Sequence, residues 1–194
     1  ANGNEAMVSE QQSAKISGDV KIPENVTFAG EKYSVTTIGK KAFFYCDTLT
    51  SVSIPNRETT IGTEAFGNCR GLTSITIPNS VKTIEASAFW GCEGLTNVFL
   101  PNSVETIEAS AFGSCENLKS IDVAKDNSHY SSENGVLFDI SKKTLIQYPC
   151  GIKGKYVIPN SVTTIGEGAF MYCGISIAFL AIVLSASSVN SSFT

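Results

Sequence analysis

The chain has 194 residues with 14 basic and 18 acidic side chains and a formal net charge of −4, a balance that argues against a dedicated nucleic-acid binder. Apolar residues make up 42% and charged residues only 16%, with a mean hydropathy of +0.09, so the chain can bury a core and is not disordered as a whole. A single histidine, His129, removes most acid-base and zinc chemistry from contention.

From the N-terminus, Ala1 to Gln12 is polar, with neither a basic flank nor an apolar core, and does not read as a cleavable leader. Val26 to Val35 reads as a hairpin around Gly30 and makes residues 1–38 an N-terminal cap. A strict period then begins. Phe43, Phe66, Phe89 and Phe112 are each 23 residues apart, as are Cys46, Cys69, Cys92 and Cys115, and Pro55, Pro78 and Pro101. The pattern lapses and returns at Phe170 and Cys173, displaced by 58, which is one unit of 23 and one of 35. The repeats thus occupy 39–173, with an expanded unit at about 124–158 that carries strand-like runs at Gly135-Val-Leu-Phe138 and Leu145-Ile-Gln-Tyr148.

The unit reads Leu-x-x-Ile-x-Ile-Pro-Asn-Ser-Val-x-x-Ile-x-x-x-Ala-Phe-x-x-Cys-x-x, best seen from Leu72 to Gly94. Leu72 to Ile77 alternates at its end as a short strand, and Pro78-Asn79-Ser80 stops and turns it. Val81 to Ile84 is a second extended run, and Ala88, Phe89 and Cys92 fall at helical spacing within a short helical turn. So small a unit cannot close a core alone, and neighbouring units must bury each other's apolar edges, as in a solenoid. The expectation is an α/β solenoid of about seven rungs. After Cys173, residues 174–194 predict an irregular strand over Ile175, Ala178 and Leu180 and then a serine-rich loose tail. The longest apolar run, Ile175 to Leu184, is ten residues, short of the roughly 20 that cross a bilayer as a helix. No membrane span is expected, although that strand offers an edge for end-to-end self-association.

The Ala-Phe-x-x-Cys-x-x-Leu core and the Ile-Pro strand end resemble the BspA-like leucine-rich repeats of bacterial and protozoan surface proteins, over roughly Ile22 to Cys173. The expanded unit, Tyr130 to Phe138, is similar to the longer repeats of that family. The resemblance implies a right-handed leucine-rich-repeat solenoid on secreted or surface-anchored proteins that bind other proteins or host surfaces. It brings no catalytic residues with it.

Phe43, Phe66, Phe89, Phe112 and Phe170, with Cys46, Cys69, Cys92, Cys115 and Cys173, are expected to form an internal ladder, the cysteines as buried free thiols. Their Cβ vectors, all pointing the same way on neighbouring rungs, converge poorly for disulfides. Cys150 is read as lying outside the register and is the candidate reactive thiol. His129 beside Asp126, Asn127, Tyr130 and Ser131 lacks a nucleophile elbow and reads as a loop histidine. Asp122, Asp126, Asn127 and Glu133 lack the spacing of a calcium loop. No catalytic group, metal or cofactor is expected.

Function in a solenoid is read on outward side chains. Between the two strand isoleucines the column runs Ser53, Thr76, Phe99, Asp122, and beside it Ser51, Ser74, Asn97, Ser120. Phe99 is a large aromatic among small polar residues and a candidate contact anchor, with Thr76, Asn97 and Asp122 around it. Trp90, whose register partners are Phe44, Gly67, Gly113 and Met171, is either a second contact or a cover for adjacent glycines. Glu58 stands where Val81, Val104 and Val162 point inward, and predicts a bulge that turns it to solvent or to Arg57 or Lys82. The expected partner is an extracellular or host-surface protein. A glycan, stacked on Trp90 and Phe99, is the rival, and a spacer role the third reading.

Overall fold

In the computed structural model, which describes residues 5–9, 16–57 and 59–174, fifteen strands wind into a coil. They are β1 (Glu5–Val8), β2 (Gly18–Lys21), β3 (Asn25–Phe28), β4 (Glu31–Ile38), β5 (Leu49–Ser53), β6 (Thr60–Ile61), β7 (Ser74–Ile75), β8 (Thr83–Ile84), β9 (Asn97–Leu100), β10 (Thr106–Ile107), β11 (Ser120–Val123), β12 (Tyr130–Glu133), β13 (Val136–Asp139), β14 (Thr144–Gln147) and β15 (Thr164–Ile165). Alternate strands pair in parallel. One column runs β4, β6, β8, β10, and another runs β2, β5, β7, with β9 and β11 continuing the same repeat position. The hairpin around Gly30 forms from β3 and β4, and β1 lies along β4 on its other side. Glu58 and residues 175–194, on which the bulge and the C-terminal strand were expected, lie outside the described residues.

The helical turn of each unit is not a helix; among the described residues there is none. Left-handed residues recur instead at fixed positions: Lys41 and Tyr45, Glu64 and Asn68, Ser87 and Gly91, Ser110 and Ser114. They redirect alternate N–H groups. In the third of these turns Ala88, Trp90 and Cys92 donate back to the carbonyls of Glu85, Ser87 and Phe89, whereas Ser87, Phe89 and Gly91 donate forward to Ala109, Ala111 and Gly113 of the next rung, at 3.1, 2.8 and 2.9 Å. A helix would keep every donor within the segment. Here half of them tie rung to rung, which offsets the roughly 1–2 kcal/mol that a left-handed non-glycine residue costs.

This tie sets the ladder. Phe43, Phe66, Phe89 and Phe112 stack at centroid spacings of 5.0, 5.2 and 5.3 Å, parallel to within 3°. Below them the thiols of Cys69, Cys92 and Cys115 donate to the carbonyls of Phe43, Phe66 and Phe89 on the preceding rung, at 3.0 to 3.2 Å. Burial pushes the Cys69 and Cys115 thiols up to about 12 and Cys92 well above its ordinary value, so these groups stay protonated.

The expanded unit breaks the ladder. Leu145 pairs with Phe138 on one side and Ile165 on the other, so β13 and, beyond it, β12 occupy the side of β14 that faces the earlier rungs. The Tyr130 hydroxyl accepts from Ile107 N–H at 2.8 Å and so covers the exposed donor of β10. Successive residues of β13 serve two cores: Leu137 joins the cluster that runs back to Ile22, while Val136 and Phe138 join a second with Leu145, Tyr148 and Cys173. Phe170 therefore does not continue the Phe stack. It is partly buried and packs on Tyr148 at 5.2 Å, tilted by 31°.

Two expectations about cysteine are corrected. Cys173 is not a free thiol and Cys150 is not a reactive one: they form a disulfide across one 23-residue period, with Cα atoms 4.2 Å apart. Tyr148 takes the ring position, donating its N–H to Ala169 O as Phe43, Phe66 and Phe89 do to the Ala of the next rung, in a segment with one residue fewer before its cysteine than Phe-x-x-Cys. Cys46, Cys69, Cys92 and Cys115 are buried and lie outside any disulfide.

Two outcomes are expected. Phe89→Ala empties a site enclosed by two rings and lowers stability by about 3–5 kcal/mol in urea unfolding; a loss well under 1 kcal/mol would place the residue outside the stack. Thiol titration with an aromatic disulfide reagent should find no reactive group in the native protein, four after unfolding without reductant, and all six after reduction.

Candidate functional site

Period-two alternation divides the strand column β2, β5, β7, β9, β11 between core and solvent. Val52, Ile75, Val98 and Ile121 point inward and are buried. Ser51 lies opposite Ser74, Asn97 opposite Ser120, and Phe99 opposite Asp122. The structure thus brings Asn97, Phe99 and Asp122 onto one exposed face, with Thr76, just past β7, at the Phe99 position of the preceding rung. Phe99 is 55% exposed, and the Ser120 hydroxyl lies 3.0 Å from Asn97 Oδ1 and 2.9 Å from Asp122 Oδ2. An apolar ring is therefore framed by oriented polar groups on a rigid sheet.

Polar order extends to the other end of the column. The Asp19 carboxylate accepts from Ser51 and Thr50 hydroxyls at 2.7 and 2.8 Å, and these bonds hold its carboxyl below the ordinary value. The sequence gives Asp19 no repeat signal, because it precedes the periodic region. At the far end Ile121 N–H donates to Gly135 O, so the turn of the β12–β13 hairpin closes the column where another strand would follow. A Cβ on Gly135 would come within 2.8 Å of Lys119 O.

Trp90 is not part of this face. It lies in the turn segment, where a Cβ on Gly113 would be 3.1 Å from its Cδ1, and its ring meets Tyr172 edge-on at 6.3 Å. Phe44 covers Gly67 in the same way. Trp90 and Phe99 therefore do not build one stacking platform. The residues around His129 have a structural explanation in Asn127, which stands 23 residues after Val104 and occupies its inward position. Asn127 Nδ2 donates to the Pro101 and Val104 carbonyls at 2.9 and 3.0 Å, while its Oδ1 accepts from His129 and Tyr130 N–H at 2.8 Å. The period alone could have identified it as the inward residue that launches the expansion.

Parallel strands on a short period, a Phe stack and a paired Cys column define a leucine-rich-repeat protein. The chain matches the model described as BspA type leucine rich repeat region in six copies, with residues 139–183 matched. A leucine-rich repeat protein from Bacteroides capillosus is 31% identical, with a TM-score of 0.51 over 55% of this chain and 76% of that one. The chain belongs to the BspA type leucine-rich repeat family. A leucine-rich repeat protein from Eubacterium ventriosum is similar at 25% identity and a TM-score of 0.61, over 79% of this chain and 50% of that one. The pneumococcal vaccine antigen PcpA shares the fold at 22% identity and a TM-score of 0.65, over 87% of this chain and 56% of that one. The chain thus spans about half the length of these two proteins. No protein of curated function matches it. Among the described residues no helix is long and apolar enough to cross a membrane.

The Asp19 geometry generates a pH prediction. A depressed folded-state carboxyl contributes stability that is present above its unfolded value, near 3.9, and lost as pH falls through the folded one. Asp19→Asn should shrink the difference in urea midpoint between pH 6 and pH 3. An unchanged difference would show that the two hydroxyl bonds do not persist in solution.

Proposed function

We propose that the chain is a non-catalytic protein-recognition module of a secreted or cell-surface protein and that it adheres to host or neighbouring-cell proteins through the outward face of β2, β5, β7, β9 and β11. The observation that carries this reading is Phe99, exposed on a rigid strand and paired in register with Asp122 beside the Ser120–Asn97 contact. A large exposed ring within a polar frame is the composition of an interface anchor. The coil holds the face in place before binding, so little ordering cost opposes association. The Cys150–Cys173 disulfide supports an oxidising, extracellular setting.

The reading is tested by binding to an array of extracellular-matrix and cell-surface proteins, with a glycan array run in parallel. Phe99→Ala should weaken capture of a protein ligand by at least about tenfold, an anchor-sized loss, and Asp122→Ala should weaken it less, with the melting temperature of both variants nearly unchanged. Unchanged affinity in both removes the strand face from the function. A glycan hit lost with Trp90→Ala would replace protein recognition with a lectin role, and silence on both arrays would favour a spacer.

A further inference from the structure

The outward face of β9 and β11 sets an aromatic ring beside a carboxylate. Phe99 and Asp122 are register partners on parallel strands, so their side chains leave the sheet in the same direction from backbones about 4.8 Å apart. Thr76, at the Phe99 position of the preceding rung, is short, and more than half of Phe99 lies in solvent. The ring therefore has one uncovered flank and, on the other, an exposed carboxylate.

That carboxylate is held in place but only half engaged. Its Oδ2 lies 2.9 Å from the Ser120 hydroxyl, while Oδ1 has no donor among the described residues and Asp122 belongs to none of their ion pairs. The same hydroxyl lies 3.0 Å from Asn97 Oδ1, and its single proton cannot serve both oxygens. The cluster is thus rich in acceptors and short of donors, next to a ring whose face is itself electron-rich. A group that fits must be cationic, bring N–H donors and be flat enough to lie on the ring. A lysine ammonium is a compact, strongly hydrated point charge and fails the last demand, whereas a guanidinium meets all three. An anion is repelled.

We propose that the Phe99 face recognises an arginine side chain of its protein partner, the guanidinium lying on the Phe99 ring and donating its N–H groups to the Asp122 carboxylate. Stacking uses the flat face of the guanidinium and ion pairing uses its edge, so one side chain makes both contacts at once. Asn97 Oδ1 adds to the negative potential of the cluster. The assignment rests on the Phe99 face being the binding surface, and it narrows the partner to a protein with an exposed arginine at the contact.

The test is selection of a random peptide library on the immobilised full chain at physiological ionic strength, with each selected peptide measured again on Phe99→Ala. Peptides that lose binding to that variant should be enriched in arginine over the starting library. Replacing the arginine by citrulline, its uncharged isostere, should weaken binding by about tenfold or more, and replacing it by lysine by about threefold. Asp122→Asn should weaken the arginine peptide and leave its citrulline analogue unchanged. Glu116→Gln, an equal loss of charge at an exposed position in the turn after Cys115, should leave both unchanged. All three substituted residues are exposed, and an unchanged melting temperature checks that the fold is retained. Phe99-dependent peptides without arginine, tolerance of citrulline, equal binding of the lysine analogue, or equal effects of Asp122→Asn and Glu116→Gln would overturn the arginine site while leaving the face in use. A selection that yields no Phe99-dependent peptide would overturn the face and the site with it.

Discussion

The structure depends on one arrangement of backbone donors. At the Phe43, Phe66 and Phe89 turns, left-handed residues four apart send alternate N–H groups forward to the next rung and the others back into the turn. Forward bonds of 2.7 to 2.8 Å from Phe43, Phe66 and Phe89 fix the separation of neighbouring turns. At that separation the benzyl rings have one way to lie, face over face. Each cysteine then falls under a carbonyl of the rung before it, and the column is both apolar and hydrogen-bonded. A buried thiol so placed packs like a small hydrophobe and also adds a weak directional bond.

Any repeat of different length must interrupt that arrangement. Twelve extra residues in the expanded unit do not loop out into solvent. They pair with each other and insert two strands into the column, and β13 turns alternate side chains to two separate cores. Contact survives on the other side of the coil, where Gly151 N–H donates to Leu118 O at 2.7 Å and a Cβ on Gly151 would come within 2.6 Å of that oxygen. The inserted strands leave a cleft lined by Glu108, Phe112, Gln147 and Glu167, but Gly168 still packs against Ser110 beside it, so the stack is not divided. Cys150 and Cys173 tie the last described rung to its neighbour beyond this break.

Much of this was legible in the sequence because stacking converts identity of position into identity of environment. The Phe and Cys columns, the Ile-Pro strand ends, the hairpin at Gly30 and the strands at Val136–Asp139 and Thr144–Gln147 all follow from period and alternation. The turn was misread because Ala88, Phe89 and Cys92 have helical spacing, while the residues that forbid a helix are Lys41, Glu64, Ser87 and Ser110, which carry no glycine signal. Cys150 was misplaced because Gln147 stands where a phenylalanine is due and Tyr148 supplies the ring one position later. On the candidate site, the columns around Phe99 were readable from alternation, and the glycine beside Trp90 already hinted at packing. The cleft was not readable, since it depends on which side of β14 the hairpin enters.

The central claim is that rungs are coupled one to the next through the stacked turns, without interruption as far as Phe112 and not beyond it. Double-mutant cycles measure this directly, comparing Phe66 with Phe89 and Phe112 with Tyr148, each truncated to alanine singly and together. The account predicts a coupling of about 0.5–1.5 kcal/mol for the first pair, as for rings in contact, and essentially none for the second. Equal couplings in both pairs would contradict it.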